Sequence, residues 1–133
     1  LLIKNFIKEN RLSNFVKVLG FKKNPYKYLA KSDLFILTSI YEGLPNVLLE
    51  SMALKKLTIS TNCPTGPREI LDNGKFGILF KVNDYITLSK IITDHKKNKN
   101  NHKKIIKKAY RSLERFNFET NSKKYLEIAR NLI

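Results

Sequence analysis

The sequence contains very little cysteine and histidine, and this shortage excludes several kinds of site. With a single cysteine, Cys63, among 133 residues, the chain forms no internal disulfide. The two histidines, His95 and His102, are not spaced with the cysteine as a Cys/His metal site or a Cys/His nucleophilic pair would require. We therefore expect neither a metal centre nor a fold held together by disulfides.

Long apolar runs are also absent. No stretch approaches the roughly 20 apolar residues that a membrane-spanning helix needs. The chain opens on a segment with helical periodicity, without a basic and then apolar signal segment followed by a cleavage site. We expect from this opening that the sequence is a piece of a longer protein.

Negative charge is scarce. The chain has 26 Lys and Arg against 11 Asp and Glu, a formal net charge of +15. Such an excess indicates an anionic partner such as nucleic acid, anionic lipid or a phosphorylated ligand. A composition rich in Lys, Asn and Ile also follows from an AT-rich genome, and that explanation requires no partner. Both explanations of the positive charge stay open. The length is that of about one domain with a core of its own.

The apolar pattern alternates between strands and helices. Short β-branched or apolar runs predict strands at residues 15–19, 34–38, 57–61 and 76–80, of which 34–38 is expected to be buried on both faces. Helical spacing predicts helices at residues 1–11, 25–31, 46–54, 68–72, 85–95, 103–115 and 119–132. This order predicts an α/β fold, a doubly wound parallel sheet with C-terminal helices.

Lysines are concentrated in residues 96–108, and residues 95–104 are expected to form a solvated loop between helices. Nucleic-acid binding is disfavoured because the segment lacks interleaved aromatic residues for base stacking and any groove-reading motif. A peripheral contact with an anionic membrane surface stays open, since each basic residue near such a surface contributes about 1 kcal/mol. A solvated helix is the simpler explanation.

The segment that follows the apolar run 34–38 has the composition of a ligand site. In open parallel sheets ligands bind beyond the carboxyl ends of the strands, which is where Glu42 and Gly43 fall. Gly43 allows close approach of the backbone, and Pro45 suits the first turn of a helix. The amides of Asn46, Val47 and Leu48 would then form a phosphate site at the positive end of the helix dipole.

Two carboxylates flank this helix start. Glu42 precedes the helix and Glu50 lies about one turn inside it, so we expect them on opposite sides of a bound phosphate. A carboxylate accepts two hydrogen bonds from vicinal hydroxyls such as a ribose diol. The alternative is a loop and a helix face in which both acids contact only water.

The same residues resemble a known family. "YEGLPNVLLESMA" (41–53) is similar to the Glu-x7-Glu signature of retaining family-4 glycosyltransferases, which have the GT-B fold. The resemblance extends over nearly the whole chain. It includes "VKVLGFKKNPYKYLAKSDLFILTS" (16–39), "KKLTISTNCPTGPREILDNGKFGILF" (55–80) and "FNFETNSKKYLEIARNLI" (116–133). It implies the C-terminal, Rossmann-like half of a GT-B enzyme, with residues 1–115 as an N-terminally incomplete donor domain and 116–133 as its closing helix.

The resemblance assigns roles to individual residues. Glu50 would take the ribose hydroxyls of a nucleoside-diphosphate sugar, and Glu42 would face the donor sugar as the catalytic carboxylate. The backbone from Gly43 to Val47 would meet the sugar and the diphosphate. The complete set of implied donor contacts is Glu42, Gly43, Leu44, Pro45, Asn46, Val47 and Glu50, with Gly20, Phe21 and Lys22 at the base and Thr65 and Gly66 in a second turn.

The implied activity is transfer of a hexose or N-acetylhexosamine with retention. The donor would be a uridine or guanosine diphosphate sugar, with no metal or other cofactor, and the acceptor a lipid-linked or cell-envelope polysaccharide or lipopolysaccharide intermediate in the cytoplasm or at the inner membrane face. The family's acceptor domain, and the Arg and Lys that neutralise the diphosphate, have no counterpart in this sequence. We therefore expect the chain alone to be inactive. A non-catalytic module of the same fold and a basic polyanion-binding domain are the alternatives.

Overall fold

A computed structural model describes residues 2–132 and contains one parallel three-stranded sheet. Strands β1 (Leu34–Leu37), β2 (Leu57–Thr61) and β3 (Ile78–Phe80) follow one another in the order β1-β2-β3. Leu34 pairs with Leu57, and Ile59 pairs with Ile78. The helices are α1 (Leu2–Glu9), α2 (Tyr26–Leu29), α3 (Asn46–Ala53), α4 (Pro67–Ile70), α5 (Tyr85–Lys97), α6 (Lys103–Ser112) and α7 (Phe118–Arg130), with 3-10 turns at Asp72–Gly74, Lys99–His102 and Leu113–Phe116.

Helices cover both faces of this sheet, each over its own apolar core. On one face Leu48 and Met52 of α3 are fully buried with Ile70, Leu71 and Ala109. The other core contains Leu57, Ile59 and Phe80, packed against Leu88 and Ile91 of α5 and Ile105 and Ile106 of α6. Because helices lie on both faces of a parallel sheet, the predicted doubly wound α/β class is confirmed.

The central strand β2 is buried along its whole length even though three of its five residues are polar. Thr58 satisfies its hydroxyl with the hydroxyl of Ser51 in α3, 2.6 Å away. A buried hydroxyl without a partner would be costly, so this bond lets α3 pack closely on the sheet. The position of α3, which carries the candidate site, is thereby fixed against the middle strand.

Two strand predictions were wrong in detail. The segment 15–19 forms no strand, and Phe15 is 83% exposed. A β-run needs a neighbouring strand for its backbone hydrogen bonds, and within residues 2–132 this segment pairs with none. β1 is half-buried rather than fully buried, because it lies at the edge of the sheet.

The predicted solvated loop at 95–104 is mostly helical. α5 continues to Lys97, and a 3-10 turn follows from Lys99 to His102. His95 is only 4% exposed, with its Nδ1 atom 3.1 Å from Nδ1 of His102. Burial, followed by the nearby His102 and Lys99, lowers the pKa of His95. The histidine pair thus anchors a segment whose composition predicts only exposure.

Helices α5 and α7 begin at side-chain caps. Asp84 accepts a hydrogen bond from the Thr87 amide at the start of α5, and Asn117 accepts one from the Thr120 amide at the start of α7. No residue of α7 is buried. Among the helices of residues 2–132, none combines the length and the apolar character needed to cross a membrane.

Candidate functional site

The candidate site is built by the two loops that leave the carboxyl ends of β1 and β2. One loop runs from residue 38 to 45 and enters α3, and the other runs from 62 to 66 and enters α4. Parallel pairing of β1 with β2 brings these loops to the same edge of the sheet. The sequence therefore places the motif residues where ligands of open α/β sheets bind.

A close backbone contact joins the two loops. Gly66 has φ +79°, and a Cβ atom there would lie 2.0 Å from the Gly43 carbonyl oxygen and 2.6 Å from Cδ of Pro45. Only glycine allows this approach at this backbone conformation. The hydroxyl of Thr65 donates a hydrogen bond to the Glu42 carbonyl oxygen. The predicted second turn, Thr65 and Gly66, therefore lies directly against the loop that carries Glu42.

Side-chain hydrogen bonds fix the position of Glu42 further. The Thr61 hydroxyl donates to the Ser39 carbonyl oxygen at 2.5 Å, which ties the loop to the end of β2. The hydroxyl of Ser39 donates to Oε1 of Glu42, also at 2.5 Å. Glu42 is half-buried, and this is its only side-chain hydrogen bond within residues 2–132. One carboxylate oxygen is thus held and the other remains available to a ligand.

The N-terminus of α3 is left without a side-chain cap. Pro45 is extended, with φ −74° and ψ 92°, and offers no capping group. The amides of Asn46 and Val47 therefore have no acceptor within the helix. The expectation for Leu48 was wrong, because its amide donates to the Pro45 carbonyl oxygen at 2.9 Å. Within residues 2–132, the amides of Asn46 and Val47, two of the three predicted, have no backbone acceptor and lie at the positive end of this helix dipole.

Glu50 faces a different neighbour. It lies one turn inside α3, half-buried, and accepts a hydrogen bond from the Tyr26 hydroxyl at 3.2 Å. The charge of Glu50, and then this hydrogen bond, raise the pKa of Tyr26. Both residues line a cavity of about 400 Å³, whose wall also includes Pro25, Tyr28, Leu29, Ser32, Leu34, Phe35, Ile36 and Val47.

Sequence reasoning missed Tyr26. It lies 24 residues before Glu50 in a short helix, and no spacing in the sequence links the two. The predicted base-binding residues Gly20, Phe21 and Lys22 are all exposed, and Phe21 is 94% exposed. They do not line the cavity beside Glu50. The structure thus brings Glu42, Thr65, Gly66 and the α3 N-terminus together, while the base assignment stays a prediction.

Comparison with known proteins assigns the family. The sequence profile of the family described as "Glycosyl transferases group 1" matches residues 2–112. The chain belongs to this family. Within residues 2–132, no three His, Cys, Asp or Glu side chains are grouped so that they could hold a metal ion.

Individual relatives agree with this family. An uncharacterized glycosyltransferase of Methanocaldococcus jannaschii is 42% identical over 59% of this chain and 23% of its own length. The N-acetylgalactosamine-N,N'-diacetylbacillosaminyl-diphospho-undecaprenol 4-alpha-N-acetylgalactosaminyltransferase of Campylobacter jejuni is also 42% identical, over 59% of this chain and 21% of its own length. The chain thus matches between a fifth and a quarter of these curated relatives.

A solved structure shares the fold. Anabaena HepE, crystallised in complex with UDP, superposes with a TM-score of 0.88 over 97% of this chain and 36% of its own, at 24% sequence identity. At this identity the likeness establishes the fold. Together with the family match, it confirms the predicted membership of the GT-B glycosyltransferases.

The contact between Gly66 and Gly43 gives a first prediction for this group 1 domain. We expect Gly66→Ala to lower the free energy of unfolding by about 3 kcal/mol or more, because a Cβ overlaps backbone and the φ is unfavourable. Gly74→Ala is the matched control, since Gly74 has φ +95° and open space around it. The control should cost about 1–2 kcal/mol, the backbone term alone. Urea denaturation measures both, and equal losses would contradict the close contact.

The bond between Tyr26 and Glu50 gives a second prediction. Because the negative charge of Glu50 disfavours the phenolate, we expect Glu50→Gln to lower the pKa of Tyr26 toward its ordinary value of 10.0. Glu42→Gln is the control and should leave that pKa unchanged. Titration of ¹³C-labelled tyrosine rings by NMR, with Tyr26→Phe assigning the signal, measures the midpoint. An unchanged titration midpoint of Tyr26 in Glu50→Gln would contradict the contact between Tyr26 and Glu50.

Proposed function

We propose that this chain is the donor-binding half of a retaining glycosyltransferase that uses a nucleoside-diphosphate sugar. The observation that carries the proposal is the uncapped start of α3, with Glu42 in the loop before it and Glu50 one turn inside the helix. The family match supports a transferase, and the UDP complex of the related HepE fold supports a nucleotide ligand. A hexose or N-acetylhexosamine is the proposed transferred group.

The diphosphate is proposed to bind at the free amides of Asn46 and Val47. Both amides lack a partner in the helix, and the dipole of α3 adds a favourable potential for an anion. Gly43 precedes them with open space on the side where a Cβ would stand, so a sugar could approach the backbone there. The diphosphate would lie between the two carboxylates, with the nucleoside on one side and the sugar on the other.

Glu50 is proposed to hold the ribose and Glu42 the transferred sugar. A ribose diol would donate to the Glu50 carboxylate, competing with or lying beside the Tyr26 hydroxyl. Glu42 offers one oxygen for a sugar hydroxyl, while Ser39 holds the other. Its negative charge would also stabilise positive charge that develops at the anomeric carbon.

Retention is proposed to follow a front-face route. Ser39 holds the Glu42 carboxylate and the Thr65 hydroxyl holds the Glu42 backbone carbonyl, and this fixed position favours electrostatic stabilisation over covalent attack. The departing diphosphate would then receive the proton of the acceptor hydroxyl while the acceptor oxygen bonds to the anomeric carbon on the same face. The Campylobacter relative, named for a diphospho-undecaprenol substrate, supports a lipid-linked acceptor.

The first test concerns nucleotide affinity. We expect Glu50→Gln to weaken UDP binding by roughly tenfold or more, since charge-assisted hydrogen bonds are worth about 1.5–3 kcal/mol. Glu127→Gln, an exposed acid in α7, is the matched control for charge. Titration calorimetry with UDP measures all three proteins. Equal affinities in Glu50→Gln and the unmodified chain would remove Glu50 from the site, and a loss shared by the control would show that the effect does not arise at Glu50.

The second test concerns turnover by the 133-residue chain alone, which we expect to bind UDP weakly and to transfer no sugar. Holding donor and acceptor together contributes up to about 7–11 kcal/mol to such a reaction. Within residues 2–132 there is one sheet, with no second sheet facing the site. Incubation with labelled UDP-sugars and lipid-linked acceptors measures transfer, while NMR shifts at residues 43–48 report binding. Glycosylated acceptor would contradict this prediction.

A further inference from the structure

A second concave surface lies at the opposite end of α3 from the candidate site. It is a groove of about 590 Å³ between the end of α3 and the outer side of α6. Four cationic side chains surround an apolar floor made by two residues, and no carboxylate of residues 2–132 lines it. The groove is formed by Lys55, Lys103, Ile106, Lys107, Tyr110 and Arg111, and we call it the basic groove.

Lys55 gives the basic groove a defined wall. Its ammonium lies 4.7 Å from the centre of the Tyr110 ring, a cation–π contact between the residue that follows the end of α3 and helix α6. The backbone of Lys55 has φ +55° just after α3, and its amide donates to the Met52 carbonyl oxygen at 3.0 Å. The lysine is therefore held over the groove by both its backbone and its side chain.

The outer side of α6 is cationic without interruption. At 3.6 residues per turn, its basic residues fall within a sector of about 140°, while Ala109 and Ser112 lie on the buried side. All the basic residues are exposed, and within residues 2–132 none of them forms an ion pair with a carboxylate. They are Lys103, Lys104, Lys107, Lys108 and Arg111.

This arrangement opposes the stability of the isolated helix. Lys103 and Lys104 lie in the first turn, where the helix dipole is positive and cations are disfavoured. Lys103, Lys107 and Arg111 follow one another at intervals of four, so that like charges are neighbours along the helix surface. A bound anion would relieve both repulsions.

We propose that the basic groove binds the phosphate headgroups of anionic membrane lipids. Cations beside an apolar floor match a ligand that carries a phosphate and a hydrocarbon part, and Tyr110, 46% exposed, is of a residue type enriched at membrane interfaces. Nucleic acid fits less well, because the groove offers one aromatic ring rather than a series for stacking. α3 separates the groove from the donor-site loop by about 12 Å, so this proposal does not rest on the proposed function.

Vesicle binding tests the proposal with the full chain. We expect sedimentation with vesicles of phosphatidylcholine and phosphatidylglycerol, and no sedimentation with phosphatidylcholine alone. Lys107→Gln with Arg111→Gln should lower the binding constant at low salt by about thirtyfold, following the usual contribution of each basic residue near an anionic surface. Lys81→Gln with Lys90→Gln removes the same charge from exposed sites outside the groove and should lower binding far less.

The Lys55→Gln variant tests whether lipid binds in the basic groove or only along the basic side of α6. Because Lys55 follows α3, its replacement should weaken binding by about fivefold only if lipid enters between the helices. Unchanged vesicle binding in Lys55→Gln, or equal losses of vesicle binding in the two double variants, would contradict binding in the basic groove. Absence of vesicle binding would contradict a lipid ligand. NMR shifts at the residues of the basic groove with inorganic pyrophosphate but not with vesicles would contradict it as well. UDP affinity, measured in parallel, should be unchanged in every variant.

Discussion

The candidate site depends on one contact between backbones, that of Gly66 with the Gly43 carbonyl and Pro45. The contact lets the loop after β2 lie against the loop after β1, and without it Thr65 could not reach the Glu42 carbonyl oxygen. The position of Glu42 therefore depends on a glycine 24 residues further along the chain. A side chain at position 66 would separate the loops before any group that contacts a ligand was changed.

Much of the site could be predicted because its information is local. An apolar run, a Gly-Pro turn and a helix start occupy consecutive residues, so the sequence alone places Glu42 and the amides of Asn46 and Val47 at a strand's carboxyl end. The Leu48 amide was predicted wrongly because composition does not specify whether the first turn closes on Pro45. Such a turn is chosen by the φ and ψ of the residue before the helix.

The features that sequence reasoning missed depend on distant neighbours. Residues 15–19 have the composition of a strand but lack a partner to pair with in the described chain. Residues 95–104 have the composition of a loop, yet the His95–His102 contact holds them in helical turns. Tyr26 reaches Glu50 because α2 is placed beside α3, and no periodicity encodes that placement. Each outcome follows from tertiary packing, which overrides local preference.

The two ends of helix α3 differ in how their backbone groups are hydrogen-bonded. Its first turn has an extended proline and no side-chain cap, which leaves amides free, whereas its last turn is closed by backbone bonds from Leu54 and Lys55. Between them, Leu48, Ser51 and Met52 are fully buried and hold the helix rigidly against β2. A rigid helix cannot relieve the missing cap by shifting, so its free amides stay available to an anion. Burial in the middle of the helix thus preserves an unsatisfied terminus that would otherwise be lost.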